Sequence, residues 1–279
     1  MLNKNKIEFK ARVLEGEPLV LIEYLELKTK LSKSTLKKVL NNGGVWLKKF
    51  KSSKLSRVRR ATTELNLDSY LEFYYDEQFL NLKVPESKVL LDKKEWGIWY
   101  KPAGLLSQGN EYGDHCTVLR SVEKVKGPKH AFLVHRLDRE AHGLIIIAYN
   151  DKAARFFSMK FQKGQIKKQY KIQVLGNILT KYPDKKGEIN LKLDGKEAKT
   201  TFEFLDFSDN KSTLLVQIHT GRLHQIRRHF DQIGFPVLGD PRYGKGNKNK
   251  EGMKLLAYQL NFKDMEGKEI SFALDDYSI

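Results

Sequence analysis

The stretch 143–150, Gly-Leu-Ile-Ile-Ile-Ala-Tyr-Asn, restricts the possible folds of this chain more than any other. Leu144 to Ala148 are all apolar, and three of the five are isoleucine. A strand turns successive side chains to opposite faces, so such a run is apolar on both and needs cover above and below. It is therefore predicted as an interior strand of a layered sheet. Directly ahead of it, His135-Arg136-Leu137-Asp138-Arg139-Glu140-Ala141-His142 crowds six ionisable groups together, which makes this segment the first candidate for chemistry.

The neighbouring segments supply material for such a sheet. Trp96–Tyr100 reads as a short aromatic strand closed by the turn Lys101-Pro102-Ala103-Gly104. Asn150 is a candidate cap for a helix with Ala154, Phe157 and Phe161 on one side, ended by Gly164. In 166–176 the alternation puts Tyr170, Ile172 and Val174 on one face. Residues 212–220 read as a strand, and 223–234 as an amphipathic helix with Leu223, Ile226, Phe230 and Ile233 inward. Strands and helices without repeats predict a mixed domain of both over 80–279.

The front of the chain has a different character. Pro18–Leu31 carries Leu21, Tyr24, Leu25 and Leu27 at helical spacing. A second helix follows, with candidate caps Ser32 and Ser34, apolar Leu36, Val39 and Leu40, basic Lys33, Lys37 and Lys38, and a stop at Gly43-Gly44. Strands are expected from Val45 and over 70–75, joined by a basic loop that contains Arg57, Arg59 and Arg60. This predicts a small α+β module over 1–79.

Charge gives the first functional pointer. The net charge is +17, of which residues 1–60 carry +11. A surplus of that size attracts polyanions, and nucleic acid is the natural one. No apolar run nears the roughly 20 residues that cross a bilayer, so no membrane partner is expected. The start, MLNKNKIEFK, has no signal-like apolar core, and the lone Cys116 can form no internal disulfide; both point to the cytoplasm.

Several chemistries are disfavoured by spacing. His219, His224 and His229 recur every five residues, a step that turns them off a common helix face, so no metal site is predicted. No Walker spacing and no Gly-x-Ser-x-Gly elbow occurs. What remains is Asp138, held between Arg136 and Arg139. Cations favour the charged carboxylate, which suits a nucleophile or a base, although a surface arginine–aspartate cluster reads equally well from these ten residues alone. Arg222 adds weight. Near the start of a predicted helix, a cation is disfavoured by the macrodipole and calls for an anion, which is Asp138, an RNA phosphate, or both. Tyr170 offers a ring for stacking or for the core.

Taken together, the segments resemble the RluA-type pseudouridine synthases. His135-Arg136-Leu137-Asp138 with Gly143-Leu144 resembles that family's central motif, and Lys168-x-Tyr170 with Val174-x-Gly176 its second. His219-Thr220-Gly221-Arg222-x-His224-Gln225-Ile226-Arg227-x-His229 with Gly239-Asp240-x-x-Tyr243-Gly244 resembles its third, and Lys101-Pro102-x-Gly104 its early turn. Ala141-His142 stands where the family usually has Thr-Ser. Residues 9–78 resemble the S-four-like RNA-binding module found beside such domains.

The resemblance implies an α+β catalytic domain over 80–279, with a mixed, largely antiparallel sheet, flanking helices and an RNA cleft, and isomerisation of uridine to pseudouridine in RNA without a cofactor. Asp138 is implied to act on the ribose, as nucleophile or base. Arg222 is implied to pair with it, and Tyr170 to stack on the base and to help remove a proton from carbon 5. Arg136 is expected to fill the space of the extruded base, with His135, Arg139 and His142 as further RNA contacts and Leu256 packing on the base. In the N-terminal module Lys37, Lys38, Arg57, Arg59 and Arg60 are the expected RNA contacts. Large-subunit ribosomal RNA is the first expected substrate and transfer RNA the second. A non-catalytic RNA-binding or ribosome-assembly protein is the competing reading, and a monomer is expected.

Overall fold

A computed structural model describes residues 5–127 and 130–274. The chain divides into two compact units, Met1–Val84 with Gln108–Ser121, and Pro85–Ser107 with Val122–Ile279. The sequence boundary at 79/80 leaves out one feature of this division, because 108–121 groups with the first unit.

In the first unit the order is β1 (Lys6–Arg12), α1 (Leu21–Thr29), α2 (Lys33–Asn42), β2 (Val45–Lys48), β3 (Ser56–Arg57), β4 (Tyr70–Asp76) and α3 (Glu77–Leu80). The strands form an antiparallel sheet in the order β1-β4-β2-β3. Leu21, Leu25, Leu36, Leu40, Leu71 and Phe73 fill one core between helices and sheet. Helix α2 has the predicted ends: the Ser32 hydroxyl accepts from Thr35 N at 3.2 Å, and Gly43 adopts φ 85° beyond the last turn. Of the apolar residues read at helical spacing, Leu21, Tyr24 and Leu25 are buried and Leu27 is exposed. β1 was not predicted; its alternation of charged and apolar residues, KIEFKAR, turns one face to solvent, and among the described residues it pairs with β4 at the end of the sheet.

The second unit continues with β5 (Lys88–Asp92), β6 (Trp96–Lys101), α4 (Val118–Lys126, shared between the units), β7 (Phe132–Leu133), β8 (His142–Ala148), α5 (Asp151–Gln162) and β9 (Lys167–Leu175). A 3-10 turn, β10 (Lys186–Ile189), β11 (Thr200–Ser208), β12 (Lys211–Ile218), α6 (Gln225–Gln232), β13 (Leu255–Lys263) and β14 (Glu269–Ala273) complete it. The sheet runs β10-β11-β12-β9-β13-β8-β6-β5, with β14 beside β13 and β7 beside β8. Among the described residues only the β8–β13 pair is parallel, so the sheet is mixed and largely antiparallel, as the resemblance implies.

The apolar run is the interior strand that its composition demands. Leu144 through Ala148 are all fully buried, and Leu144, Ile146 and Ala148 pack with Trp96, Phe157, Leu260 and Phe262. Gly143 is required where β8 enters the sheet. Its φ is 115°, and a Cβ there would collide with the Ala257 backbone on β13. Register then carries this entry point across the sheet: Gly143 pairs with Ala257, and Ala257 with Tyr170 on β9. The loop before β8 and the β9 tyrosine are thus brought to one region, about two strand spacings of roughly 4.8 Å apart. Among the described residues no helix is long and apolar enough to cross a membrane.

Candidate active site

The segment that carries Asp138 is clamped on both sides of it. The Ser107 hydroxyl donates to Leu137 O at 2.7 Å and accepts from Leu137 N at 3.0 Å, while the Leu137 side chain is buried. On the far side, Arg139 O accepts from Gly104 N at 2.7 Å and from the Lys101 ammonium at 3.3 Å. Lys101 is fully buried and also donates to Leu105 O at 2.7 Å and Pro102 O at 3.1 Å. Burial pushes its pKa down to about 7, against the pull of Asp138 and Glu140. The early Lys-Pro-x-Gly turn therefore serves as the anchor of the Asp138 loop.

The carboxylate itself meets a buried guanidinium from α6. Arg227 Nη1 donates to Asp138 Oδ2 at 3.1 Å and lies 3.5 Å from Glu140 Oε2. Its other edge is fixed by a two-toothed pairing, Nε to Asp240 Oδ2 at 2.7 Å and Nη2 to Asp240 Oδ1 at 2.8 Å. Asp240 also accepts from the Arg242 and Tyr243 amides. Burial alone would raise the Asp240 pKa; Arg227 and the two amides outweigh it and hold it below the usual range. Burial likewise opposes the charge of Arg227, but Asp240 and Asp138 raise its pKa above the ordinary value. The Tyr243 ring packs against this guanidinium, 5.2 Å from its carbon. His224 completes the edge, with Nε2 4.0 Å from Asp138 Oδ1 and Nδ1 3.2 Å from the Tyr243 hydroxyl.

This arrangement corrects the expected role of Arg222. Helix α6 begins at Gln225, and His224 before it takes a left-handed φ of 51°, so Arg222 lies outside the helix. Its amide donates to Gln225 Oε1, and its Nε to Glu197 O at 3.0 Å. The side chain is exposed on the rim, and the partner of Asp138 is Arg227. The same late helix start leaves Leu223 59% exposed instead of inward. Arg227 was legible as part of the third motif, and its place beside the apolar Ile226–Phe230 face marked it as a buried cation in need of an acid.

Other expected contacts separate into groups. Tyr170 is buried, and its pKa is raised by burial first and by the Asp138 charge second. Arg136 and Arg139 are exposed. His135, expected to touch RNA, instead turns into the protein: Nε2 accepts from Ile146 N at 2.9 Å and the ring lies 4.4 Å from that of Phe161. Burial holds it neutral, well below its ordinary pKa. His142 is largely buried at the start of β8, edge-on to Tyr100, with its pKa lowered to about 4 by burial and then by Lys101 and Lys254. Leu256, expected to pack on a base, is fully buried in the core, because β13 is covered on that face.

In the first unit, Lys37, Lys38 and Arg60 are exposed. Arg57 and Arg59, expected as RNA contacts, instead converge on Asp114, Arg59 at 2.6 and 2.8 Å and Arg57 at 3.3 Å. Arg57 further donates to the Gly43 and Asn110 carbonyls and stacks on Trp46, 4.3 Å from its ring centre. They tie 108–121 to the sheet within this unit. A partner 55 to 57 residues further along leaves no local signal in the chain.

Residues 95–232 match the family model for RNA pseudouridylate synthase. An RNA pseudouridine synthase of Zymomonas mobilis, uncharacterised, is 35% identical over 50% of this chain and 70% of its own length. The chain belongs to the RNA pseudouridine synthase family. The dual-specificity RNA pseudouridine synthase RluA of Escherichia coli is similar to it, 29% identical over 57% of this chain and 77% of its own length. An uncharacterised member from Aquifex aeolicus is 29% identical over 92% of this chain and 88% of its own. The ribosomal large subunit pseudouridine synthase D of Nitrosomonas europaea is 29% identical over 57% of this chain, which spans half of that protein. Among solved structures, human RNA pseudouridylate synthase domain containing 1 shares the fold, with a TM-score of 0.58, 20% identity, and coverage of 70% of this chain and 85% of that one. The chain is thus of the class of isomerases that act on uridine in RNA.

Proposed function

We propose that this pseudouridine synthase modifies uridine in large-subunit ribosomal RNA, with Asp138 as the group that acts on the ribose. The observation that carries the catalytic part is the Asp138–Arg227–Asp240 chain, in which a buried guanidinium clamped by one carboxylate holds a second at the edge of solvent. Such a carboxylate is aimed before substrate arrives, which is the preorganisation that transition-state stabilisation needs.

The target uridine leaves its stack at a cost of a few kcal/mol. Exposed Arg136 fills the gap, and Tyr170 gives the uracil a stacking surface that contributes about 1–3 kcal/mol. Asp138 then acts at the anomeric carbon as a nucleophile or at the adjacent carbon as a base. In either case the bond from N1 to the ribose breaks, the bond from C5 forms, C5 loses a proton and N1 gains one. The balance requires no oxidant or group donor. The raised pKa of Tyr170 keeps its phenol protonated at neutral pH, which suits stacking and hydrogen-bond donation better than service as a phenolate base.

Support for the ribosomal substrate comes from the Nitrosomonas europaea relative, a ribosomal large subunit pseudouridine synthase, and from the basic N-terminal unit, whose helix α2 exposes Lys33, Lys37 and Lys38. We read that unit as an RNA-binding module of the S-four-like kind. The test is tritium release from transcripts labelled at carbon 5 of uridine. Large-subunit ribosomal RNA is expected to release label and transfer RNA to release none; the opposite result moves the substrate to transfer RNA. Release from neither, with binding intact, supports the non-catalytic reading.

A further inference from the structure

Between Glu26 and Glu64 the chain has no acidic residue and twelve lysines and arginines. Within that span the β2–β3 hairpin ends in Lys48-Lys49-Phe50-Lys51-Ser52-Ser53-Lys54, with all four lysines exposed. Phe50 is 53% exposed at the same tip. Ser52 N donates to Lys49 O at 2.9 Å, so Phe50 and Lys51 hold the two central positions of a tight turn. Lys51 sits at φ 63°, in the left-handed region where glycine or asparagine is at ease and other residues are strained.

Folding alone favours polar residues and glycine at such a tip. A large ring at one central position and a lysine at the strained one both oppose that preference, and neither adds to the core. Residues that break a local rule without a packing gain mark functional positions. What the tip offers is specific. The ring face is a platform for a base that has left its stack, and the surrounding ammonium groups, with Lys51 Nζ 5.5 Å from the ring centre, suit the phosphates on either side. An acidic peptide needs the lysines alone.

We propose that the Lys49–Ser52 turn is an RNA contact separate from the isomerisation site, in which one unpaired base stacks on Phe50 while Lys49, Lys51 and Lys54 hold the flanking phosphates. The ligand class rests on the RNA reading above; the contact is independent of which residues isomerise uridine.

The test uses the full-length protein, a labelled 12-nucleotide oligouridylate and a duplex RNA of the same length. Phe50→Ala and Phe50→Leu are expected to weaken oligouridylate binding about 5- to 100-fold, the loss of one stacked base. Phe50→Trp is expected to keep the affinity, and its added indole emission to be quenched by the RNA. The salt slope of the affinity should stay as in wild type for Phe50→Ala and fall by about 1.4 for the Lys49→Gln, Lys51→Gln double variant. Affinity within twofold of wild type for Phe50→Ala overturns the proposal. So does retained affinity in Phe50→Leu, an equal loss on the duplex, or an equal loss of polyglutamate binding. If Asp138→Asn still isomerises uridine while Phe50→Ala weakens binding, the catalytic reading falls and this contact stands.

Discussion

At the scale of single residues, the difference between Arg222 and Arg227 is the sharpest consequence of the structure. Arg227→Met removes a buried cation from Asp240, Asp138 and Glu140 and is expected to destabilise the protein by about 3–5 kcal/mol, measured by denaturant unfolding. Arg227→Lys keeps a charge but loses the fork, and the single-turnover rate should fall about 100- to 1000-fold. Arg222→Ala should leave stability within about 0.5 kcal/mol, because its side chain is exposed and reaches one carbonyl. Equal effects at the two positions contradict this assignment. His142 gives a pH signature. Its pKa is about 4 in the folded protein against an ordinary 6.5, so between these values the unfolded chain binds a proton that the folded one does not. Stability is therefore lost as pH falls from 6.5 to 4, by up to about 3 kcal/mol from this group. His142→Ala should show a shallower acid loss in unfolding experiments; parallel curves for variant and wild type contradict it.

At the scale of elements, the sequence was most legible where local physics and packing agree. The isoleucine run needed cover on both faces and received it. Ser32, Asn150 and the Tyr170–Ile172–Val174 alternation marked their elements because caps and period-two burial are local properties. The start of α6 was not legible in this way. His224 takes a left-handed conformation without being glycine, and Gln225 supplies the local hydrogen bonds from its side chain, so the helical pattern read from Leu223 began too early. That slip exchanged Arg227 for Arg222 and inverted Leu223. Asp114 and Asp240 were hidden for another reason, since their partners lie 55 and 13 residues away in sequence and meet them only through the fold. The entry of β8 yields its own prediction. Gly143→Ala must push the Ala257 backbone from a parallel pair in mid-sheet, and thermal unfolding should show a large loss of stability, with Asp138 chemistry impaired in the folded fraction. A variant as stable as wild type excludes this close approach.

At the scale of the whole molecule, a net charge of +17 makes long-range attraction part of function. Raising salt from 50 to 200 mM should raise the KM for RNA at least about tenfold while the saturated rate changes little, since phosphate contacts govern encounter and the Asp138 pair is largely screened from solvent ions. A KM that ignores salt contradicts that division of labour. The central claim is narrower: a carboxylate held by Arg227 does the chemistry. Single-turnover formation of pseudouridine by Asp138→Asn, at RNA concentrations that saturate both proteins, tests it most directly. The account predicts RNA binding like that of wild type and no detectable product; pseudouridine formed at the wild-type rate contradicts it.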